Sequence, residues 1–232
     1  MTNTPIRLGA ALNATLFFGV HIACIAAIWT GVSVSDLLLC FSLYFIRMFG
    51  VTAGYHRYFS HRTFRLGRVS QFLLAFLAMT SAQKGIIWWA AHHRHHHRHS
   101  DEPEDVHSPR QSGFWWAHLG WVLSKEWEGT EDRMVKDLRR YPELVWLDQM
   151  KLFPAVLLGA AVWFIFGWSG LVVGFLWSTV LLWHGTFTIN SLAHVIGTRR
   201  YATKDDSRNN WLLALITMGE GWHNNHHHYQ AS

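Results

Sequence analysis

The chain has 232 residues, 50% of them hydrophobic and 15% aromatic, a length that suits one domain. Its formal charge is +5, but Lys and Arg are scattered among Trp-rich apolar runs with no basic face and no nucleic-acid motif, so a nucleic-acid partner is excluded and a membrane surface explains the charge better. Cys24 and Cys40 both fall in apolar stretches, which excludes a disulfide framework or thiolate metal site and fits a reducing cytoplasm; the outliers are 14 Trp and 17 His.

The N-terminus, MTNTPIRLGA, has one Arg and no small-residue cleavage site behind a short apolar core, and reads as mature sequence. A bilayer crossing needs about 20 apolar residues. Four segments qualify, at about 8–30, 34–55, 153–168 and 171–189, the third being short. A fifth apolar run, about 69–90, is interrupted by Gln71, Gln83 and Lys84 and predicts an interfacial helix. Arg57, Arg62, Arg65 and Arg68 follow the second span, Arg199 and Arg200 follow the fourth, and Arg7 precedes the first, whereas the hairpins GVSVS and GWSG carry no basic residue. Both termini and the middle segment are therefore expected on the cytoplasmic side. The expected fold class is an all-α integral membrane protein: four transmembrane helices in two hairpins, with a cytoplasmic helical cap at about 56–152 and 190–232, all one domain. Within the cap, DEPEDVHSPRQSG reads as loop. EGTEDRMVKDLRRYPELVWLDQM reads as an amphipathic helix, with Met134, Val135 and Leu138 at helical spacing.

The histidines carry the chemistry. HRYFSH places His56 and His61 directly after the second span. In AHHRHHHRHSD, His93, His96 and His97 have the i, i+3, i+4 spacing that puts three rings on one helical face, and in HNNHHH His223, His226 and His227 repeat it. NSLAH adds His194, one turn beyond Asn190. His21, His118 and His184 stand alone in the sequence and read as core or interfacial residues. A disordered metal-buffering tract would explain HHRHHHRH by itself, but not the recurrence of H-x-x-H-H next to membrane-associated sequence. So many imidazoles exceed the four-ligand demand of a structural zinc and suit two metals with open positions. The spans hold no interior carboxylate, which disfavours ion transport. Candidates for holding the ligand rings from behind are Glu220, Asp101, Asp105 and His107, with Glu220 first because glycines flank it.

HRYFSH, HRHHH, NSLAH and GEGWHNNHH, in this order, resemble the histidine boxes of the integral-membrane fatty acid desaturases, in particular the stearoyl-CoA (delta-9) desaturase-like branch and its bacterial members. The resemblance runs from the second span to the end of the chain. It implies two iron ions, dioxygen as oxidant and two external electrons, and the conversion of a saturated long-chain acyl group, on CoA, to a cis alkene. An acyl-lipid substrate, alkyl or lipid hydroxylation, and membrane metal binding or transport are the alternatives. By the family's pattern the first metal takes His56, His93, His97 and His226, with Asn190 reaching it through a water; the second takes His61, His96, His194, His223 and His227. His92, His95, His99 and His228 fall outside both sets.

For the substrate, the resemblance places Gln83, Trp89, Thr186 and Phe187 where the chain bends at the reacting carbons. Met48 and Tyr44, eight and twelve residues before His56 on the second span, are expected to close the acyl tunnel and set chain length. Arg94 and Lys84 are candidates for a CoA phosphate. No haem, ferredoxin-like cysteine or flavin motif is present, so electrons are expected from a separate ferredoxin, rubredoxin or cytochrome-type donor with its reductase. The chain stops at Ser232, five residues after His227, where relatives usually continue. Localisation in a bacterial inner membrane, amid membrane lipid, completes the expectation.

Overall fold

The computed structural model describes residues 4–231, with side chains from Ala11 onward, so Arg7 and the expected start of the first span at Leu8 lie outside the described side chains. Helix α1 (Thr4–Ala23) passes through a 3-10 turn, Cys24–Ala26, into a last helical turn, Ala27–Thr30. Helix α2 (Val34–Phe49) starts on a capping box in which Ser33 and Asp36 satisfy each other's backbone N–H, and it continues as a π-helix over Gly50–Ser60. A Cβ on Gly50 would come within 3.0 Å of the Ala78 backbone, so small residues here let the next helix approach closely.

That neighbour, α3 (Arg68–Met79), is shorter than the sequence led us to expect. The apolar run divides at residues 80–85, where the Thr80 and Ser81 hydroxyls donate back to Leu77 and Ala78 carbonyls and Ala82 and Lys84 take positive φ. The histidine run therefore sits on a helix of its own, α4 (Ile86–His99). The amphipathic helix expected in the cap also breaks up. It forms 3-10 turns at Asp132–Met134 and Leu138–Arg140, then α5 (Pro142–Gln149), because Tyr141 takes the extended conformation forced ahead of Pro142. Val135 and Leu138 are nonetheless buried, packed with Ile86, Ile87, Leu144 and Leu147 beneath α4.

Among the described residues three helices are long and apolar enough to cross a membrane: Ala11–Thr30, Val34–Ser60 and the 42-residue Phe153–His194. The expected third and fourth spans both lie in this stretch, which comprises α6 (Phe153–Ser169), a π-helical stretch at Gly170–Trp177, and α7 (Ser178–Asn190). Gly167, at φ +68°, breaks it, a conformation glycine takes without a Cβ clash. The two limbs fold onto each other, with Phe175 packed against Ala155 and Val162. Ile28, Trp29 and Phe164 are 76%, 79% and 84% exposed, a surface suited to lipid. Two short helices, α8 (Trp211–Ile216) and α9 (His223–His228), close the fold. Among the described residues no strand forms, and isolated bridges join Asn209 to Thr198 and Trp222.

One charge lies deep between these helices. Arg47 of α2 is fully buried and donates to the carbonyls of Leu43, Thr80 and Phe175 and to the hydroxyls of Ser178 and Thr179. Hydrogen bonds, with no carboxylate, offset its desolvation and tie α2 to α7.

Candidate metal centre

Four elements bring the histidines together. The π-helical end of α2 presents His56; the His61 N–H then donates to the His56 carbonyl at 3.2 Å, which folds His61 back beside it. Helix α4 is fixed at its start by Asp148, which accepts from the N–H groups of Ile87 at 2.7 Å and Trp88 at 3.3 Å. Further along, Arg94 staples α4 to the end of the π-helix. Its guanidinium donates to the carbonyls of Phe59, Ser60 and Met134 and to both oxygens of Asp137. The segment after α7 supplies His194, and α9 supplies the rest.

The ring nitrogens gather into two groups, each with ligand atoms within 4.8 Å of one another: His56, His61, His93, His97 and His226, and His96, His194, His223 and His227. In the five-membered group the Nε2 atoms of His56 and His226 are 2.9 Å apart, those of His61 and His93 2.8 Å, and those of His97 and His226 2.9 Å. The partition drawn from the family pattern put His61 with the second metal. The structure places it in the first group, because the turn after His56 points both rings the same way. His92, His95 and His99 face elsewhere: His92 bonds to the Trp88 carbonyl, His95 to Glu131 and the Glu104 carbonyl, and His99 faces Glu102. His228 stacks on Tyr201.

Carboxylates hold the rings from behind. His56 Nδ1–H donates to Glu220 at 2.6 Å, His96 to Asp105 at 2.8 Å, His194 to Asp101 at 2.9 Å and His227 to Asp205 at 2.8 Å. Burial opposes ionisation of Asp101, Asp105 and Asp205, yet hydrogen bonds and charge from these rings outweigh it, and all three carboxyls lie well below the usual range. Burial, reinforced by neighbouring imidazoles, pushes His93, His97, His223 and His226 well below the ordinary 6.5, and His227 down to about 4. These five rings are therefore neutral at pH 7, whereas the Asp105 carboxylate beside His96 pushes that ring the other way, upward.

This arrangement fits a metal. With Nδ1–H committed to a carboxylate, His194 must offer its Nε2 lone pair inward, where His223 Nε2 stands 3.0 Å away. Crowded, inward-facing lone pairs repel unless a cation lies among them, and carboxylate–histidine pairs orient and enrich metal-ligating rings.

Sequence reasoning missed Asp205. No spacing pointed to it, since it lies 22 residues before His227; only the DDS run, whose Ser207 hydroxyl and N–H bond back to Asp205, could have suggested a structured carboxylate. Glu220, Asp101 and Asp105 lie behind ligand rings. His107 instead faces His96, ring centroids 4.2 Å apart, with its Nδ1 buried and unpartnered.

A cavity of about 30 Å³ opens beside both groups, lined by His56, His93, His96 and His223 together with Met48, Trp89, Thr186 and Asn190. Trp89 is clamped between Tyr55 and His93, with ring centroids 5.3 and 4.9 Å away. Gln83 lies off the cavity but donates to the Thr186 hydroxyl at 3.0 Å. Tyr44 donates its hydroxyl to the Ile216 carbonyl at 2.7 Å, below Met48 on the same helix. Phe187 faces away, towards Phe17 and His118.

The family model for fatty acid desaturase matches residues 11–231. The chain belongs to the fatty acid desaturase family. This desaturase is 35% identical over 229 residues to the sn-1 stearoyl-lipid 9-desaturase of Anabaena variabilis, covering 95% of this chain and 82% of that one. It is 33% identical over 219 residues to the sn-2 palmitoyl-lipid 9-desaturase of Nostoc sp. (strain 36), with 92% and 77% covered. To the acyl-CoA C20 Delta5-desaturase of Anemone leveillei it is 34% identical over 224 residues, with 92% and 69% covered. The desaturase is an oxidoreductase that introduces double bonds into fatty acyl chains with oxygen.

Proposed function

We propose that the two histidine groups hold two iron ions and that the enzyme places a cis double bond at position 9 of a long saturated chain carried on a membrane lipid. The observation that carries the metal assignment is the pair of inward-facing imidazole clusters with carboxylates behind them. Two observations favour lipid over CoA as carrier. The Arg94 guanidinium, a candidate for CoA phosphate, has its nitrogens engaged within the protein, and Lys84 lies 5.5 Å over the Trp88 ring. The Anabaena and Nostoc relatives are both lipid 9-desaturases.

An unactivated methylene has no acidic proton and no carbonyl to polarise; iron held by the two groups would activate dioxygen, the oxidant that such a carbon requires. The protein's own part is placement. Met48, Trp89 and Thr186 shape the cavity, Gln83 fixes the Thr186 hydroxyl, and Asn190, on the cavity wall, would reach a metal of the first group through a water. Tyr44 closes the far end of the acyl path. Electrons come from a separate carrier protein of the ferredoxin, rubredoxin or cytochrome type.

As to topology, the break at Gly167 lets the 42-residue helix cross twice, giving four crossings in two hairpins with the termini and metal centre on the cytoplasmic side of a bacterial inner membrane. The whole forms one domain.

The deciding experiment is anaerobic reduction of iron-loaded protein in lipid, followed by oxygen and a saturated acyl-lipid or acyl-CoA. Gas chromatography should find a 9-alkene from the lipid. Product from CoA alone would overturn the carrier, an alcohol would make the enzyme a hydroxylase, and no oxidised product from either would overturn the reading.

A further inference from the structure

Two imidazoles on the cavity wall, those of His107 and His223, keep a buried nitrogen without a partner. His223 belongs to a metal group; His107 does not. His96, Asp105 and His107 bring ligand atoms within 4.8 Å of one another, but hydrogen bonds close that trio. Asp105 Oδ1 accepts from His96 Nδ1–H at 2.8 Å and from the His107 backbone N–H at 3.3 Å. The His107 ring lies over the face of His96, 30° from parallel with 4.2 Å between centroids. Its nitrogens, which lie in the ring plane, therefore run beside the point that His96 Nε2 addresses and do not converge on it.

The segment that carries this ring is held from both ends. Val106 is fully buried and its carbonyl accepts from Trp116 Nε1 at 3.2 Å, while the Ser108 hydroxyl donates to Asp101 Oδ1 at 2.5 Å. Asp101 and Asp105 are the carboxylates behind His194 and His96, so His107 is anchored to the same supports as two ligand rings. Trp121 covers the ring from another side, 5.0 Å between centroids.

A buried polar atom without a partner costs about 1–3 kcal/mol. Phenylalanine would fill the space between His96 and Trp121 without that cost, so packing does not account for an imidazole here. Trp121 has the matching feature: its Nε1–H, which can only donate, is buried and unpartnered too. One water shared by the two rings would accept from Trp121 and donate to His107 Nδ1, leaving the His107 proton on Nε2. Elsewhere on the cavity wall the hydroxyls of Thr186 and Thr217 donate to the Leu182 and Leu213 carbonyls, and Glu220 is taken by His56.

We propose that His107 presents its Nε2–H to the cavity as the hydrogen-bond donor for dioxygen while it is being reduced, with Trp121 setting the tautomer through a shared water. This deepens the metal-centre reading above and rests on it. Dioxygen enters uncharged and gains negative charge as electrons reach it. A rigid N–H already in place stabilises that charge, and the proton stays on the ring.

The first test needs no iron. In 15N-histidine NMR of the metal-free protein, with the signal assigned by its loss in His107→Phe, His107 should be the Nε2–H tautomer, and Trp121→Phe should shift its Nδ1 signal. The Nδ1–H tautomer would overturn the proposal. The second test adds nitric oxide, in place of dioxygen, to ferrous-loaded enzyme: the N–O stretch should move in D2O for the wild type but not for His107→Phe. In turnover His107→Phe should hold wild-type amounts of iron and lower kcat about 100-fold at unchanged acyl KM. It should also release more hydrogen peroxide per electron consumed, and His107→Gln, which keeps an N–H near the Nε2 position, should recover part of the rate. Wild-type kcat and a wild-type stretch in His107→Phe would overturn the donor role. Loss of iron from His107→Phe, or no recovery with Gln, would overturn it too and mark a packing role. A wild type that binds no iron or makes no alkene would strike the metal-centre reading instead, with the NMR tautomer still deciding which nitrogen His107 presents.

Discussion

The two histidine groups differ in what stands behind them. In the four-membered group, three rings lean on buried carboxylates: His96 on Asp105, His194 on Asp101 and His227 on Asp205. In the five-membered group, among the described residues, only His56 does so, on Glu220. Those carboxylates are themselves held, Asp101 by Ser108 and the Asp206 N–H, Asp205 by Ser207. The four-membered group is therefore a rigid, electron-rich nest and the five-membered one a looser ring with a nitrogen in reserve. The difference teaches that number of ligands and quality of support can substitute for each other.

Substitutions can break that comparison. His194→Ala, which strips a supported ligand from the smaller group and leaves Asp101 buried without its ring, should abolish activity and lower metal affinity more than about 100-fold. His61→Ala leaves four rings in its group and should cost clearly less; equal losses of bound iron in the two variants would refute the contrast. Next in size, Asp205→Asn keeps the shape but not the charge behind His227, and should reduce metal affinity about 10- to 100-fold by competitive chelation.

Acid should empty the centre. The rings of His93, His97, His223 and His226 lie well below their ordinary 6.5 in the folded protein, and that of His227 at about 4. Below about pH 6.5 the unfolded chain thus binds more protons than the folded one, so stability rises with pH across this window and falls on acidification. Bound metal, which needs neutral rings, should leave in the same window. The depressed carboxyls of Asp101, Asp105 and Asp205 stabilise the fold throughout, and that contribution goes only at far lower pH. A melting temperature that did not change between pH 7.5 and 5 would contradict this.

The smallest expected effect lies at the substrate end. A Cβ on Gly185 would meet the Tyr44 hydroxyl at 2.8 Å and Met48 Cε at 3.2 Å. Gly185→Ala should cost about 1–3 kcal/mol and shift the preferred acyl length without altering bound iron. An unchanged product profile would remove Tyr44 and Met48 from the tunnel.

The gathering of the histidines was legible in the sequence because helical spacing determines which rings share a face: His93 and His97 do meet, and so do His223 and His227. What spacing cannot show is how a turn redirects a ring, as the one after His56 does for His61, or which distant carboxylate arrives behind a ring, as Asp205 does behind His227. Apolar content located the membrane segments but not the break at residues 80–85, which depends on hydroxyls bonding back to the chain. His21, His118 and His184 looked solitary for the same reason: they lie on three separate elements yet bond to one another.

The Gly167 turn also bears on how the protein enters its membrane. From Phe153 to Asn190 the chain carries no Asp, Glu, Lys or Arg. A hairpin closed by one glycine has no charged loop to drag across the bilayer, so both limbs can insert together as a single unit. Once there, Ser169 beside the turn can donate to Asp36, the capping residue at the start of α2, at 3.3 Å. That contact ties the start of α2 to the turn between the two limbs, at the end of the helices opposite the histidine groups.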